Sequence, residues 1–184
     1  MSITPEVLRQ DILLELRTAT KRRKSPWKTP VISTMGLDNT PKARVVVLRR
    51  ASHDVLELHT DIRSEKWAEL TKHQHIAWTF WDRSRQVQLR VSGCVELHQN
   101  DAIAQDNWNR LGEGSRKTYR VEPAPATPIA RPDSYSYCGD GYRYFGVVRC
   151  HCDWMDWLHL TRDGHKRAIF TRDADGWTGS YVSP

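Results

Sequence analysis

Residues 43–60 read ARVVVLRRASHDVLELHT. The stretch holds two short apolar runs, Ala43 to Arg50 and Val55 to Thr60, set apart by Ser52-His53-Asp54. Runs this short, rich in valine and bounded by polar turn residues, are strand signals, because a helix needs a longer segment with apolar residues three and four apart. The same texture continues on both sides. Val31 to Met35 precedes the turn Leu37-Asp38-Asn39-Thr40-Pro41, and Ile76 to Trp81 is joined to Gln86 to Leu97 by Asp82-Arg83-Ser84-Arg85. Further on come Tyr142 to Val148, Asp153 to Leu160, Arg167 to Thr171 and Trp177 to Val182, with hairpin signals at Asp163-Gly164 and Asp175-Gly176. Many short antiparallel strands predict a mainly β fold, closed or partly closed into a β-barrel, since closure removes exposed edges. A barrel of this size is filled by side chains, so ligands belong on its outer surface, in its loops or at a seam between subunits.

Helices intersperse the strands. Thr4-Pro5-Glu6 supplies an N-cap, a first-turn proline and a first-turn acid, and Val7, Leu8, Ile12, Leu13 and Leu16 follow at helical spacing to about Thr20. The basic run Lys21-Arg22-Arg23-Lys24 then ends the helix, as cations do at a helix C-terminus. Ser64 to Lys72 reads as a short helix with Ser64 as N-cap. Asn100 or Asp101 caps another through Ala102, Ile103, Trp108 and Leu111. Val121 to Pro132 holds four prolines and is a long loop. No repeat or linker divides the chain, so a single domain spans 1–184.

The 184 residues, 39% hydrophobic and 27% charged, are enough for one globular core and exclude wholesale disorder. No apolar run reaches the ~20 residues of a membrane span, and the acids and arginines among the first leucines exclude a signal peptide. The 28 Lys+Arg against 22 Asp+Glu leave a net charge of +6, and 8 Trp accompany only 3 Phe. That pairing suits a nucleic acid, an anionic membrane or a nucleotide cofactor. Cys94, Cys138, Cys150 and Cys152 lie apart except for Cys150-His151-Cys152, whose two thiols share one face of a strand. A zinc site would need a second close pair, so no metal is assigned; free thiols fit a cytoplasmic protein. Trp78, Trp81, Trp154 and Trp177 read as barrel core or subunit seam, and His73 and His75 as surface.

The densest chemistry lies at Arg44 to Arg50 with Arg63-Ser64-Glu65-Lys66 beyond it. Guanidinium forks, a lysine and a helix N-terminus can together hold a phosphate. Arginines at both ends of an apolar strand are equally ordinary solvated strand ends, and strand parity sets Arg44 and Arg49 on opposite faces unless a bulge intervenes.

Taken in order, the arginine-started Val/Leu strand, the step His59-Thr60, the helix start Ser64-Glu65-Lys66, the strand opening Arg85-Gln86-Val87 and the late Trp157, His165 and Arg167 carry more. Over about residues 30–184 the chain resembles the pyridoxamine 5′-phosphate oxidase superfamily of flavin-binding split barrels. The resemblance implies a six-stranded antiparallel split barrel, homodimeric, with one FMN per subunit in the seam. It lays Arg44, Val45, Val46, Val47, Leu48 and Arg49 along the flavin, with Arg44 toward the phosphate. His59 and Thr60 match an aromatic-Thr step, with His in place of Tyr; Ser64 and Lys66 match the phosphate-binding helix start. Gln86 matches a flavin-contacting glutamine, and Trp157 and Arg167 match the late flavin-binding pair. His165 and Arg49 would face the substrate.

Departures from the pattern are as informative. Glu65 replaces a phosphate-binding arginine, with Arg63 placed to compensate. Asp163-Gly164-His165 replaces an Arg-x-His, and only Arg110 and Ser115 lie near the places that hold a substrate phosphate in the B6 oxidases. The reading is therefore an FMN-dependent oxidoreductase acting on an unidentified small substrate, with vitamin B6 fitting less well than another substrate, and with no nucleic-acid or membrane partner. The alternatives are a non-catalytic flavin or haem carrier of the same fold, and a basic β-barrel that binds single-stranded nucleic acid by Trp stacking.

Overall fold

In the computed structural model, which describes residues 3–184, α1 (Pro5–Lys21) starts where its signals place it. The Thr4 hydroxyl accepts from the Val7 N–H at 3.4 Å, and Leu8, Ile12, Leu13, Leu16 and Ala19 form the buried stripe. Strands β1 (Val31–Met35), β2 (Pro41–Val45), β3 (Arg50–Ser52) and β4 (Val55–Asp61) follow, then α2 (Glu65–Lys72). Next come β5 (His75–Asp82), β6 (Val87–His98), α3 (Ala102–Asn109) and α4 (Glu113–Lys117). A two-strand ribbon, β7 (Val121–Glu122) with β8 (Ser136–Tyr137), brackets the proline-rich loop, and β9 (Phe145–His159), β10 (Lys166–Asp173) and β11 (Gly176–Val182) complete the chain.

The main sheet runs β11-β10-β9-β6-β5-β1-β2, antiparallel throughout, with β4 pairing both β3 and β9. β9 is the branch point. One of its edges pairs β6 over nearly its whole length; the other is divided, Phe145 to His151 pairing β4 and Trp154 to His159 pairing β10. The stretch between β2 and β3 curls the sheet back on itself. Its Val46 and Leu48 N–H groups donate to Pro30 and Lys28 at 3.0 and 2.9 Å, and its Arg49 N–H donates to Glu57 of β4 at 2.9 Å. Ile32, Leu48, Leu58, Trp78, Phe80 and Leu89, each fully buried, fill the interior. A second cluster, Ala104, Trp108, Tyr119, Phe145 and Val147, seals α3 against the outer face of β9.

Two expectations are corrected. Ala43 to Arg50 is not one strand: the ladder with β1 ends at Val45 and pairing with β4 begins at Arg50, so the chain changes partner where the sheet closes. Tyr142 to Leu160 is not two strands either. Tyr142 to Tyr144 form a 3-10 turn, and all of Phe145 to His159 is one strand. Its polar Arg149, His151 and Asp153 alternate outward while Cys150 and Cys152 point into the core, so the polar residues mark a face and not a turn. A bulge opposite Ser92-Gly93 then shifts the phase. Gly93 is obligatory there, since a Cβ would stand 1.9 Å from the His151 carbonyl oxygen. Cys94 and Cys138 are exposed, unlike the two core thiols. Among the described residues no helix is long and apolar enough to cross a membrane.

Candidate functional site

Four of the expected residues converge. Thr60 is the penultimate residue of β4; its hydroxyl lies 3.1 Å from that of Ser64, and Lys66 Nζ donates to Thr60 Oγ1 at 2.9 Å and to Ser64 Oγ at 3.4 Å. Arg44 enters from β2, directly opposite the buried Ile32, and therefore points to the inner side of the sheet. Gly146 makes the approach of α2 possible: it faces Thr60 across the β4–β9 ladder, and a Cβ there would lie 2.5 Å from the Trp67 ring. Ser64 precedes α2 but makes no side-chain cap bond; its hydroxyl donates to Asp61 O at 2.6 Å, which leaves the first N–H groups of the helix open.

Electrostatics single out Lys66. Among the described residues no carboxylate lies within 4 Å of its ammonium, whereas Arg44 is committed to Glu69 of α2, 3.0 Å away and buried, and to the Thr34 hydroxyl. Burial, and then the nearby Arg44 charge, hold the Lys66 ammonium below the usual lysine range. A half-buried cation facing two hydroxyls and an uncapped helix start fits an anion with several acceptor oxygens. Flavin phosphate is such an anion.

Arg63 does not compensate for Glu65. Its guanidinium forks onto Asp61 at 3.0 and 2.7 Å and reaches Glu122 at 3.1 Å, and Glu65 itself is solvent-exposed. His59 is likewise separated from Thr60, since neighbouring strand residues face opposite ways. It lies under α3, 3.3 Å from Asn107 and edge-on to Phe145, next to the buried Glu57–Arg149 pair at 3.0 Å. Val45 is 66% exposed and Leu48 fully buried, with Val46 packed on the core. Arg49 has no ion-pair partner among the described residues and stands near Lys28 and Tyr119, its charge adding to the burial that lowers the Lys28 pKa.

Trp157, His165, Arg167 and Gln86 gather elsewhere. Thr60 pairs with Gly146, and Trp157 lies eleven residues further along β9 (157 minus 146). At the usual strand rise that is roughly 35 Å of strand. There Trp157, His159, His165, Lys166 and Arg167 line a cleft of about 660 Å³. Arg167 donates to the buried Asp156 at 3.0 and 2.9 Å, and Arg90 grips the same carboxylate from the other side. Gln86, with φ +55, accepts the Leu160 N–H on its backbone oxygen and turns its side chain to Arg83 O. Arg110 pairs with Asp106, and Ser115 lies in α4.

Comparison with known proteins shows what the chain as a whole is similar to. Residues 10–99 match the family described as pyridoxamine 5′-phosphate oxidase, FMN-binding domain. A pyridoxine/pyridoxamine 5′-phosphate oxidase of Burkholderia multivorans is 29% identical over 171 residues, covering 85% of this chain and 79% of that protein. The chain is thus similar, over residues 10–99, to the pyridoxamine 5′-phosphate oxidase, FMN-binding domain. Solved structures give the same fold. A pyridoxamine 5′-phosphate oxidase-related, FMN-binding protein of Nostoc punctiforme matches with TM-score 0.75 at 20% identity, covering all of both chains. PhzG of Burkholderia lata, solved with tetrahydrophenazine-1-carboxylic acid, matches with TM-score 0.75 at 16% identity over 98% of this chain and 92% of that one. The FMN-binding domain match and the curated relatives support FMN as the cofactor and an oxidoreductase-type function.

Sequence reasoning missed three residues around this flavin-protein scaffold. Glu69 looks like one more helix-surface acid, yet its side chain is 3% exposed and holds Arg44. Its signal is the i, i+4 step from Glu65 inside an otherwise mixed helix, too common to act on. Thr34, which donates to Glu69 at 2.5 Å, and Asp156, buried between two arginines, gave no local signal, because their partners are remote in sequence.

Proposed function

We propose that the protein is an FMN-dependent oxidoreductase working as a homodimer, with each flavin held by two subunits. Thr60, Ser64, Lys66 and Arg44 of one subunit would take the phosphate, helped by the open N–H groups of α2. Val45, Val47 and Arg49 would continue along the flavin toward its ring. Trp157 and Arg167 of the partner would close on the ring, with Gln86 beside them, and His165 would reach the substrate. The observation that carries the cofactor site is the unpaired, half-buried Lys66 ammonium against two hydroxyls. What supports the dimer is the spacing along β9, since the strand between Thr60 and Trp157 is longer than FMN. One subunit therefore offers two half-sites, and a two-fold arrangement of two subunits would complete two whole ones.

Bound FMN supplies a two-electron acceptor, and the chain's own residues bind, orient and exclude water. The cleft beside Trp157 has His159, His165, Lys166 and Arg167 on its walls and no carboxylate among its lining residues, which suits a small, planar, anionic substrate. Asp163, exposed in the turn before His165, would disfavour a doubly charged phosphate more than a singly charged carboxylate nearby, so a carboxylate-bearing ring fits better than a vitamin B6 phosphate. PhzG, which shares the fold, is solved with a carboxylic acid of that kind.

Complementation tests the arrangement. Lys66→Met and Trp157→Ala proteins should each lose tight FMN binding, and dimers mixed from the two should regain it at no more than one site in two. Mixed dimers that bind no better than either parent would sink the shared-site proposal, and a monomer at micromolar concentration would sink the dimer.

A further inference from the structure

Arg63 immediately precedes Ser64, yet its polar atoms are all engaged away from the phosphate cradle. Nε donates to Asp61 Oδ1 at 3.0 Å, and Nη2 donates to Asp61 Oδ2 at 2.7 Å and to the Val121 carbonyl at 3.0 Å. Nη1 stands 3.1 Å from Glu122, and the guanidinium lies 3.5 Å over the Tyr144 ring. Tyr144 closes the circuit by donating its hydroxyl hydrogen to Glu122 at 2.8 Å. Both Arg63 and Asp61 side chains are largely buried, at 15% and 11% exposure. Four residues from the end of β4, the start of β7 and the approach to β9 thus form one network.

The turn this network grips is the one that presents the cradle. The Ile62 N–H donates to Tyr144 O at 2.9 Å, the Ser64 N–H and hydroxyl both donate to Asp61 O, and Asp61 Oδ1 takes the Arg63 N–H at 2.8 Å. Fixing Asp61 therefore fixes the direction of the Thr60 and Ser64 hydroxyls toward Lys66. A planar fork is required, because Asp61 is held through two parallel bonds while a third and a fourth reach β7.

We propose that Arg63 is a positioning residue for the flavin phosphate: it touches Asp61 and β7 at once, and so locks the 60–64 turn and ties the proline-rich hairpin beside the cofactor. This role rests on the phosphate site assigned above. It makes the Asp61–Arg63–Glu122–Tyr144 network, and not Glu65 or a spare arginine, the support on which Ser64 and Lys66 depend.

The test is fluorescence titration of FMN and riboflavin against wild-type, Arg63→Gln, Arg63→Lys and Glu122→Gln proteins. Riboflavin lacks the phosphate, so it reports every contact except the cradle. Arg63→Gln should weaken FMN roughly tenfold, the low end of what outer supporting residues contribute, while riboflavin stays within about twofold. Arg63→Lys should fall between wild type and Gln, since it keeps the charge and loses the fork. Glu122→Gln, which spares the Asp61 fork, should lose less in the same direction and guards against a folding defect in the first variant. Equal weakening of both flavins, or FMN binding unchanged in Arg63→Gln, overturns the proposal. A wild-type protein that binds riboflavin as well as FMN overturns the cradle itself.

Discussion

Replacing Lys66 by Met removes a charge without emptying the space it fills, and its two effects should have opposite signs. In the free protein Lys66 is half-buried, donates to two hydroxyls, and is held below the usual lysine range by burial and then by Arg44, which the more distant Asp61 and Glu69 only partly offset. Losing it removes a cation that is poorly compensated by its surroundings, so the free variant should unfold at the same or a higher temperature than wild type. The phosphate complex should suffer the reverse. A charge-assisted hydrogen bond contributes about 2–3 kcal/mol when its partner is ionised, which is a roughly 30- to 150-fold rise in FMN Kd. At an FMN concentration one hundred times the wild-type Kd, ligand stabilisation would fall from about 2.7 to under about 1 kcal/mol. Flavin fluorescence quenching gives the Kd, and thermal unfolding with and without FMN gives the rest. pH adds a second axis. A lysine with lowered folded pKa binds fewer protons than in the unfolded chain, so free-protein stability should rise with pH through that window while FMN affinity falls; Lys66→Met should abolish both slopes. A variant that binds FMN within about threefold of wild type, or loses free-state stability and nothing else, refutes the reasoning.

Three further changes follow from the packing. Glu69→Ala strands Arg44 beside Lys66 and should destabilise the fold by about 2–3 kcal/mol, at the lower edge for a buried pair because Arg44 is partly exposed; urea unfolding measures it. Burial raises the Asp156 pKa, but hydrogen bonds from Arg167 and Arg90 more than offset it and hold the carboxylate below its ordinary 3.8. Its stabilising contribution is present above that value and is lost as pH falls further, so Asp156→Asn should lower stability at neutral pH and flatten the acid limb of an unfolding profile. Gly93→Ala drives a Cβ into the His151 carbonyl and should destabilise by more than about 3 kcal/mol, visible as a large fall in soluble yield and in Tm.

Local signals proved readable and distant partnerships did not. Thr4-Pro5 announces α1 because capping is decided within a few residues, and the β1–β2 turn is read from Asp38 and Pro41 for the same reason. The ordered positions Arg44, Thr60, Ser64 and Lys66 stand out in the sequence as phosphate-binding candidates, and the structure brings those four side chains together. The expected compensation of Glu65 by Arg63 fails because Arg63 is held by Asp61 and by Glu122, whose place far along the chain, beyond three helices and two strands, leaves no local signal. His59 and Thr60, which the resemblance matches to one aromatic-Thr step, face opposite sides of β4, as strand alternation requires. The span from Tyr142 to Leu160 was cut in two because an outward polar face beside an interior bulge mimics a turn.

β9 carries Gly146, opposite Thr60, and Trp157 eleven residues on, so under the proposed arrangement this strand would act as a ruler for the assembly. Its ladder to β6 leaves no loop between Gly146 and Trp157 to absorb a change in length, so inserting two residues would move one half-site by roughly 7 Å relative to the other. Under the proposed two-fold arrangement, an error in one strand would be read twice, once in each shared site. Under that arrangement, changes in length would be most freely accommodated in the turns and the proline-rich hairpin, while the length of this strand would be set by the size of the molecule it helps to hold.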